Sequence, residues 1–186
     1  MAFYAPKLYC YMSDHLEPLF IDELLKLKRN FPGSIFPAAT FNLGPRVTTY
    51  EHVDCCNLAF GWCSIWAGGS FNPKVGGHFV FYDLKLAVEF PEGSTILMPS
   101  STLRHGNTQI SDEEERVSFT QYCPGGLIRW VRHGFRPTSS LTDAERQEID
   151  GEVEQQRAEG LGRWSKVGEL AQDREALVKK GGRKSL

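Results

Sequence analysis

Residues 76–107 read GGHFVFYDLKLAVEFPEGSTILMPSSTLRHGN. The runs HFVFYDL, LAVEF and STILMP are short, rich in β-branched and aromatic side chains, and set off by Gly76-Gly77 and Pro91-Glu92-Gly93. Runs of that length, closed by residues suited to chain reversal, predict strands rather than helices. The same texture continues in both directions. VTTYEHV (47–53) and LAFGWCSIW (58–66) come before, VSFTQYC (117–123) and LIRWVRH (127–133) after. Gly68-Gly69, Asn72-Pro73 and Pro124-Gly125-Gly126 supply reversals between them. Seven or eight strands at this spacing predict a sandwich or barrel over roughly a hundred residues, from Phe31 to about Phe135.

The flanks read as helical. Residues 18–30 carry Leu19, Phe20, Leu24 and Leu27, with Lys26, Lys28 and Arg29 at the end, an amphipathic helix with cations at its negative pole. Beyond Pro137, Thr142 and Glu145 form a capping-box pattern opening a polar helix to about residue 159, and a second helix is expected over 167–179. The closing KKGGRKSL reads as disordered. The fold class is therefore α+β, with a β-rich domain at 1–137 that includes the N-terminal helix and a polar helical extension at 138–186.

The net charge of −2 and pI near 6.2 give no electrostatic reason to expect nucleic acid or an anionic membrane as partner. Any such binding would be local. The five cysteines (Cys10, Cys55, Cys56, Cys63 and Cys123) are odd in number and show no C-x-x-C spacing. They read as reduced core thiols of an intracellular protein. Pro6, Lys7 and Asp14 interrupt the N-terminus before an apolar run of signal length develops. The longest uncharged stretch, 58–72, falls short of the ~20 residues a membrane helix needs. The expectation is a soluble protein, within the cell and the nucleus included.

Chemistry concentrates in three places. His52 and Asp54 stand at i and i+2, which in a strand point to one face. His105 follows after fifty intervening residues and completes a candidate triad of two imidazoles and one carboxylate. Such a set occupies one face of an octahedron, suits non-haem Fe(II) and leaves positions open for a co-substrate and O₂. After ten more intervening residues, Arg116 and Ser118 repeat the i, i+2 spacing. A guanidinium fork can hold the distal carboxylate of 2-oxoglutarate bidentately, and a serine hydroxyl can add a hydrogen bond. H-x-D by itself is a weak motif; the ordered series H-x-D, H, R-x-S is far more specific.

EHVDCCN, GWCSIWAGGSF, residues 76–107 and ERVSFTQYCPGGLIRWV together resemble the TET/JBP branch of the Fe(II) and 2-oxoglutarate-dependent dioxygenases. The likeness covers residues 48–135 and looks closest to the fungal members, many of them linked to transposable elements. It implies a double-stranded β-helix, or jelly-roll, core. It also implies iron ligands at His52, Asp54 and His105 and 2-oxoglutarate binding at Arg116 and Ser118. Asn57 matches a residue that, in the base-oxidising members, contacts a flipped pyrimidine. The implied reaction oxidises the methyl group of a modified nucleobase such as 5-methylcytosine, which makes methylated DNA the implied partner.

From the residues alone, other assignments stay open. The same motif order occurs in oxygenases acting on small molecules, and a protein side chain is a further candidate substrate. Prolyl hydroxylases usually carry Lys where Arg116 stands. His52 and Asp54 can be a surface hydrogen-bonded pair, Arg116 the partner of the acidic run Asp112 to Glu115, and Asn57 a cap on the turn after Asp54. A non-catalytic remnant retained for binding is the remaining reading.

Overall fold

The computed structural model of the chain describes residues 1–22 and 25–181. Contacts divide it into two compact units, Phe36–Gly125 and Met1–Ile35 together with Gly126–Leu186. The boundary drawn from the sequence at residue 137 lies inside the second unit.

Among the described residues, Phe36–Gly125 contains seven strands: β1 (Ala38–Asn42), β2 (Cys63–Ser70), β3 (Phe79–Phe81), β4 (Leu86–Val88), β5 (Thr95–Met98), β6 (His105–Asn107) and β7 (Glu115–Tyr122). They form two antiparallel sheets, β1-β7-β2-β5 and β4-β3-β6. Along β2 the side chains alternate, with Cys63, Ile65 and Ala67 buried and Trp66 38% exposed. Those three residues share one apolar cluster with Met98 of β5, Phe79 of β3 and Phe90, so both sheets contribute to a single core. Full burial of side chains such as Phe79 and Phe90 contributes about 1.5–3 kcal/mol each. At the open end of the larger sheet, Gly69 has φ +121 and faces Arg116 in register, and a Cβ there would lie 2.2 Å from the Glu115 carbonyl oxygen. Glycine is required at that contact.

Two expected strands are absent. VTTYEHV forms no strand; single bridges join Arg46, just before it, to Arg116 and His52, within it, to His105. LIRWVRH, apart from His133, lies in a helix, α2 (Gly125–Arg132). Its apolar positions 127, 128, 130 and 131 satisfy i, i+3, i+4 spacing as readily as alternation, so a short run does not decide between the two. The deciding signal is downstream. Gly134 at φ +65 donates to the Val131 carbonyl, Phe135 donates to the Trp130 carbonyl, and the Phe135 and Trp130 rings meet at 5.1 Å. That is a Schellman stop with its apolar contact, two residues before Pro137.

The other helices, with α2 numbered in chain order, are α1 (Pro6–Ile21), α3 (Asp143–Asp150), α4 (Val153–Gly162) and α5 (Leu170–Gly181). The N-terminal helix thus begins twelve residues before the expected start: Pro6, not Pro18, opens it, and Pro18 lies inside. Leu8, Met12, Leu16 and Leu19 form its buried stripe. Residues 26–29 are not helical; Glu23 and Leu24 lie outside the described residues. α1 packs on α5, with Lys7 3.3 Å from Asp173 and the Arg174 guanidinium 3.5 Å over the Phe3 ring. The capping box at Thr142 and Glu145 forms as expected. Gly151 at φ +71 ends α3, so the single helix expected to 159 becomes two. In KKGGRKSL, residues 182–186 lie outside the described residues. No described helix is long and apolar enough to cross a membrane.

Candidate active site

Residues 45–52 run as a strap between the two sheets. On one side Arg116 N–H donates to Pro45 O at 2.6 Å and Val47 N–H to Arg116 O at 3.0 Å. On the other, His52 and His105 exchange backbone bonds of 3.0 and 2.9 Å, and Asn107 N–H donates to Thr49 O at 2.9 Å. Gly106 permits this approach, since a Cβ there would lie 2.7 Å from Thr49 O. One segment therefore registers the first histidine against the second and the arginine against both.

His52, Asp54 and His105 converge, with one ligand atom from each lying within 4.8 Å of the others. His52 Nδ1 bonds Tyr50 O at 2.8 Å and His105 Nδ1 bonds Leu103 O at 2.9 Å. A carbonyl only accepts, so each Nδ1 carries the proton and each Nε2 presents a lone pair. Burial lowers the His105 pKa, a backbone hydrogen bond to Leu103 opposes it, and nearby His52 lowers it further. The neutral imidazole is the form that ligates a metal. His52 Nε2 stands 3.4 Å from Asp54 Oδ1. This N, N, O donor set, with both ring tautomers fixed, fits a divalent iron.

Asp54 belongs to no strand and is held by its neighbours. Its N–H donates to Ser100 O at 3.0 Å, and its carbonyl accepts from Asn57 N–H at 3.0 Å and from the Ser101 hydroxyl at 3.1 Å. Asn57 Nδ2 donates to Asp54 Oδ2 at 3.1 Å and to Ser100 Oγ at 3.3 Å.

Arg116 and Ser118 line the same cavity as the triad, a space of about 480 Å³. The two side chains are 2% and 6% exposed. Arg116 Nη1 donates to Val47 O at 3.0 Å, while its Nε has no partner. Among the described residues no carboxylate pairs with it, and burial pushes its pKa down. A buried cation without counter-charge is destabilising by several kcal/mol unless an anion joins it. The surface arginines differ. Arg46 pairs with Asp112, and Arg104 meets Asp83 at 2.7 Å and Glu51 at 2.6 Å. The acidic run thus takes Arg46, not Arg116.

The sequence reading left several cavity residues unnamed. Asn42, opposite Ser118 in register, donates from Nδ2 to Ser118 Oγ at 2.9 Å, and Thr40, Thr120 and Tyr122 line the same wall. Asn42 is 76 positions from Ser118, and only strand pairing brings them together. The cysteines divide. Cys63 and Cys123 are buried thiols pushed up to about 12 by desolvation, whereas Cys55 and Cys56 are exposed and line the cavity. That corrects the expectation of five core thiols, because the turn after Asp54 carries the adjacent pair outward. His15, His78 and His133 are not among the residues that line the cavity; His133 is buried, 3.1 Å from Asp150.

No protein-family model matches the chain, and no curated protein sequence does. Among solved structures, NgTET1 in complex with 5mC DNA overlaps with a TM-score of 0.44 at 18% identity, over 66% of this chain and 50% of that one. The viral collagen prolyl hydroxylase vCPH from Paramecium Bursaria Chlorella virus-1, in its 2OG complex, overlaps with a TM-score of 0.33 at 16% identity, over 46% of this chain and 60% of that one. The chain thus spans about half the length of the first.

Proposed function

We propose that Phe36–Gly125 is a double-stranded β-helix of the Fe(II) and 2-oxoglutarate-dependent dioxygenase type, of the TET/JBP-like kind that the sequence resembles. The observation that carries this reading is the pairing, in one cavity, of a His-Asp-His donor set with a buried arginine that has no counter-ion among the described residues. His52 Nε2, Asp54 Oδ1 and His105 Nε2 would hold the iron. Arg116 and Ser118 would hold the distal carboxylate of 2-oxoglutarate. Asn42 donates to the Ser118 oxygen, which leaves the hydroxyl proton free to point at that carboxylate. Held there, iron and 2-oxoglutarate would supply oxygenase chemistry, with one atom of O₂ converting a substrate C–H to C–OH and the other leaving in succinate, formed from the keto acid with loss of CO₂.

As substrate we propose the methyl group of a modified base such as 5-methylcytosine in DNA. Asn57 lines the cavity, and with Nδ2 committed to Asp54 and Ser100 its Oδ1 is left to accept from a base N–H. A smaller, uncharged substrate or a protein side chain is the second reading. It is favoured by the pairing of Arg46 and Arg104 with carboxylates, which removes two cations from phosphate binding. Anaerobic addition of 2-oxoglutarate to the Fe(II)-loaded protein should give the weak visible band of the chelate, and admission of air should yield succinate. Mass spectrometry of methylated DNA and of free 5-methylcytidine from the same reaction separates the substrates. Absence of the band in wild-type protein would remove the reading altogether.

A further inference from the structure

We propose that Asn57 and Ser100 are positioning residues that hold the Asp54 carboxylate to one ligating oxygen, an inference that rests on reading His52, Asp54 and His105 as a metal site. Asp54 has no strand to orient it, unlike His105, and its side chain is part-exposed. A carboxylate oxygen only accepts, so the Asn57 amide nitrogen must face it. Nδ2 divides its two protons between Asp54 Oδ2 and the hydroxyl of Ser100, a residue 1% exposed. With Oδ2 engaged, Oδ1 is the oxygen turned toward His52 Nε2 at 3.4 Å. Asn57 therefore selects which oxygen meets the metal, and Ser100 selects where Asn57 stands.

Positioning groups of this kind typically change metal affinity by about 10–100-fold. The full chain is titrated with Co(II) alone, without oxygen, by calorimetry and visible spectroscopy. Asn57→Ala and Ser100→Ala should each weaken Co(II) binding by about 10–100-fold and shift the Co(II) d–d bands. His52→Ala and His105→Ala should abolish both signals. Ser100→Ala removes one buried oxygen and little volume, so it keeps the test alive if Asn57→Ala does not fold. Folded variants that bind Co(II) with wild-type affinity and unchanged bands would overturn the positioning role and leave the metal site standing. Wild-type protein that binds no Co(II), or binds it equally after His52→Ala, would overturn both.

Discussion

Arg116 is the residue whose environment makes least sense without a ligand. The residue is 2% exposed, its guanidinium donates to one carbonyl and meets no carboxylate among the described residues, and its Nε is unpartnered. Two substitutions separate its contributions. Arg116→Lys keeps the charge but loses the planar fork, so 2-oxoglutarate affinity should fall by about 1–3 kcal/mol in calorimetry. Arg116→Met replaces an unpaired buried cation by an apolar chain of similar length. It should abolish 2-oxoglutarate binding while the thermal midpoint of the ligand-free protein holds or rises. A clear fall in that midpoint would mean that Arg116 serves the fold instead.

Among the elements, the strap at 45–52 is the one on which the site depends, because it is bonded to both sheets. Gly106→Ala would place a Cβ 2.7 Å from the Thr49 carbonyl oxygen, and neither backbone has a flexible end that can yield. The strap must then move away from β6. The expected outcome is a loss of about 1–3 kcal/mol of stability in denaturant titration, together with weakened metal binding, since the bridge from His52 to His105 opens. At α3, the Glu145 carboxyl is held down to about 2 by the backbone and side-chain hydrogen bonds of Thr142 and by Arg136, against an ordinary value of 4.5. Its folded value is the lower one, so its stabilisation is present above pH 4.5 and is lost as pH falls from there through about 2. Glu145→Gln should flatten that part of the acid limb of the thermal midpoint against pH, and an unchanged limb would show that the capping box does not act there.

For the whole molecule, ligands are expected to act as part of the fold. A metal that binds only the folded unit stabilises it by about 2.7 kcal/mol at a hundredfold excess over Kd. Chelation should therefore lower the thermal midpoint of wild-type protein and leave that of His52→Ala unmoved. 2-Oxoglutarate should add to the metal's effect only when Arg116 is present. Equal midpoints with and without metal would count against the cavity as a metal site.

Much of the site was legible in the residue order. H-x-D, H and R-x-S in that order pick out His52, Asp54, His105, Arg116 and Ser118, which all line one cavity, although only the last three stand on strands and His52 and Asp54 do not share the strand face that their spacing predicts. Composition and turn residues likewise sufficed for a β-rich core between helical flanks, because Gly, Pro and short apolar runs act through local backbone preference. What local preference leaves undecided is where the misreadings fell. LIRWVRH fits two periodicities, and a Schellman stop at Gly134 made it helical. VTTYEHV has strand composition, yet its backbone bonds are divided between two sheets. Strand register joined Asn42 to Ser118, and the division of carboxylates among arginines left Arg116 without a counter-ion among the described residues; both arise from contacts distant in sequence. Residue order thus sets which chemical groups the protein carries; the packing of two sheets settles which of them face one another, because burial and hydrogen-bond satisfaction are properties of the assembled core.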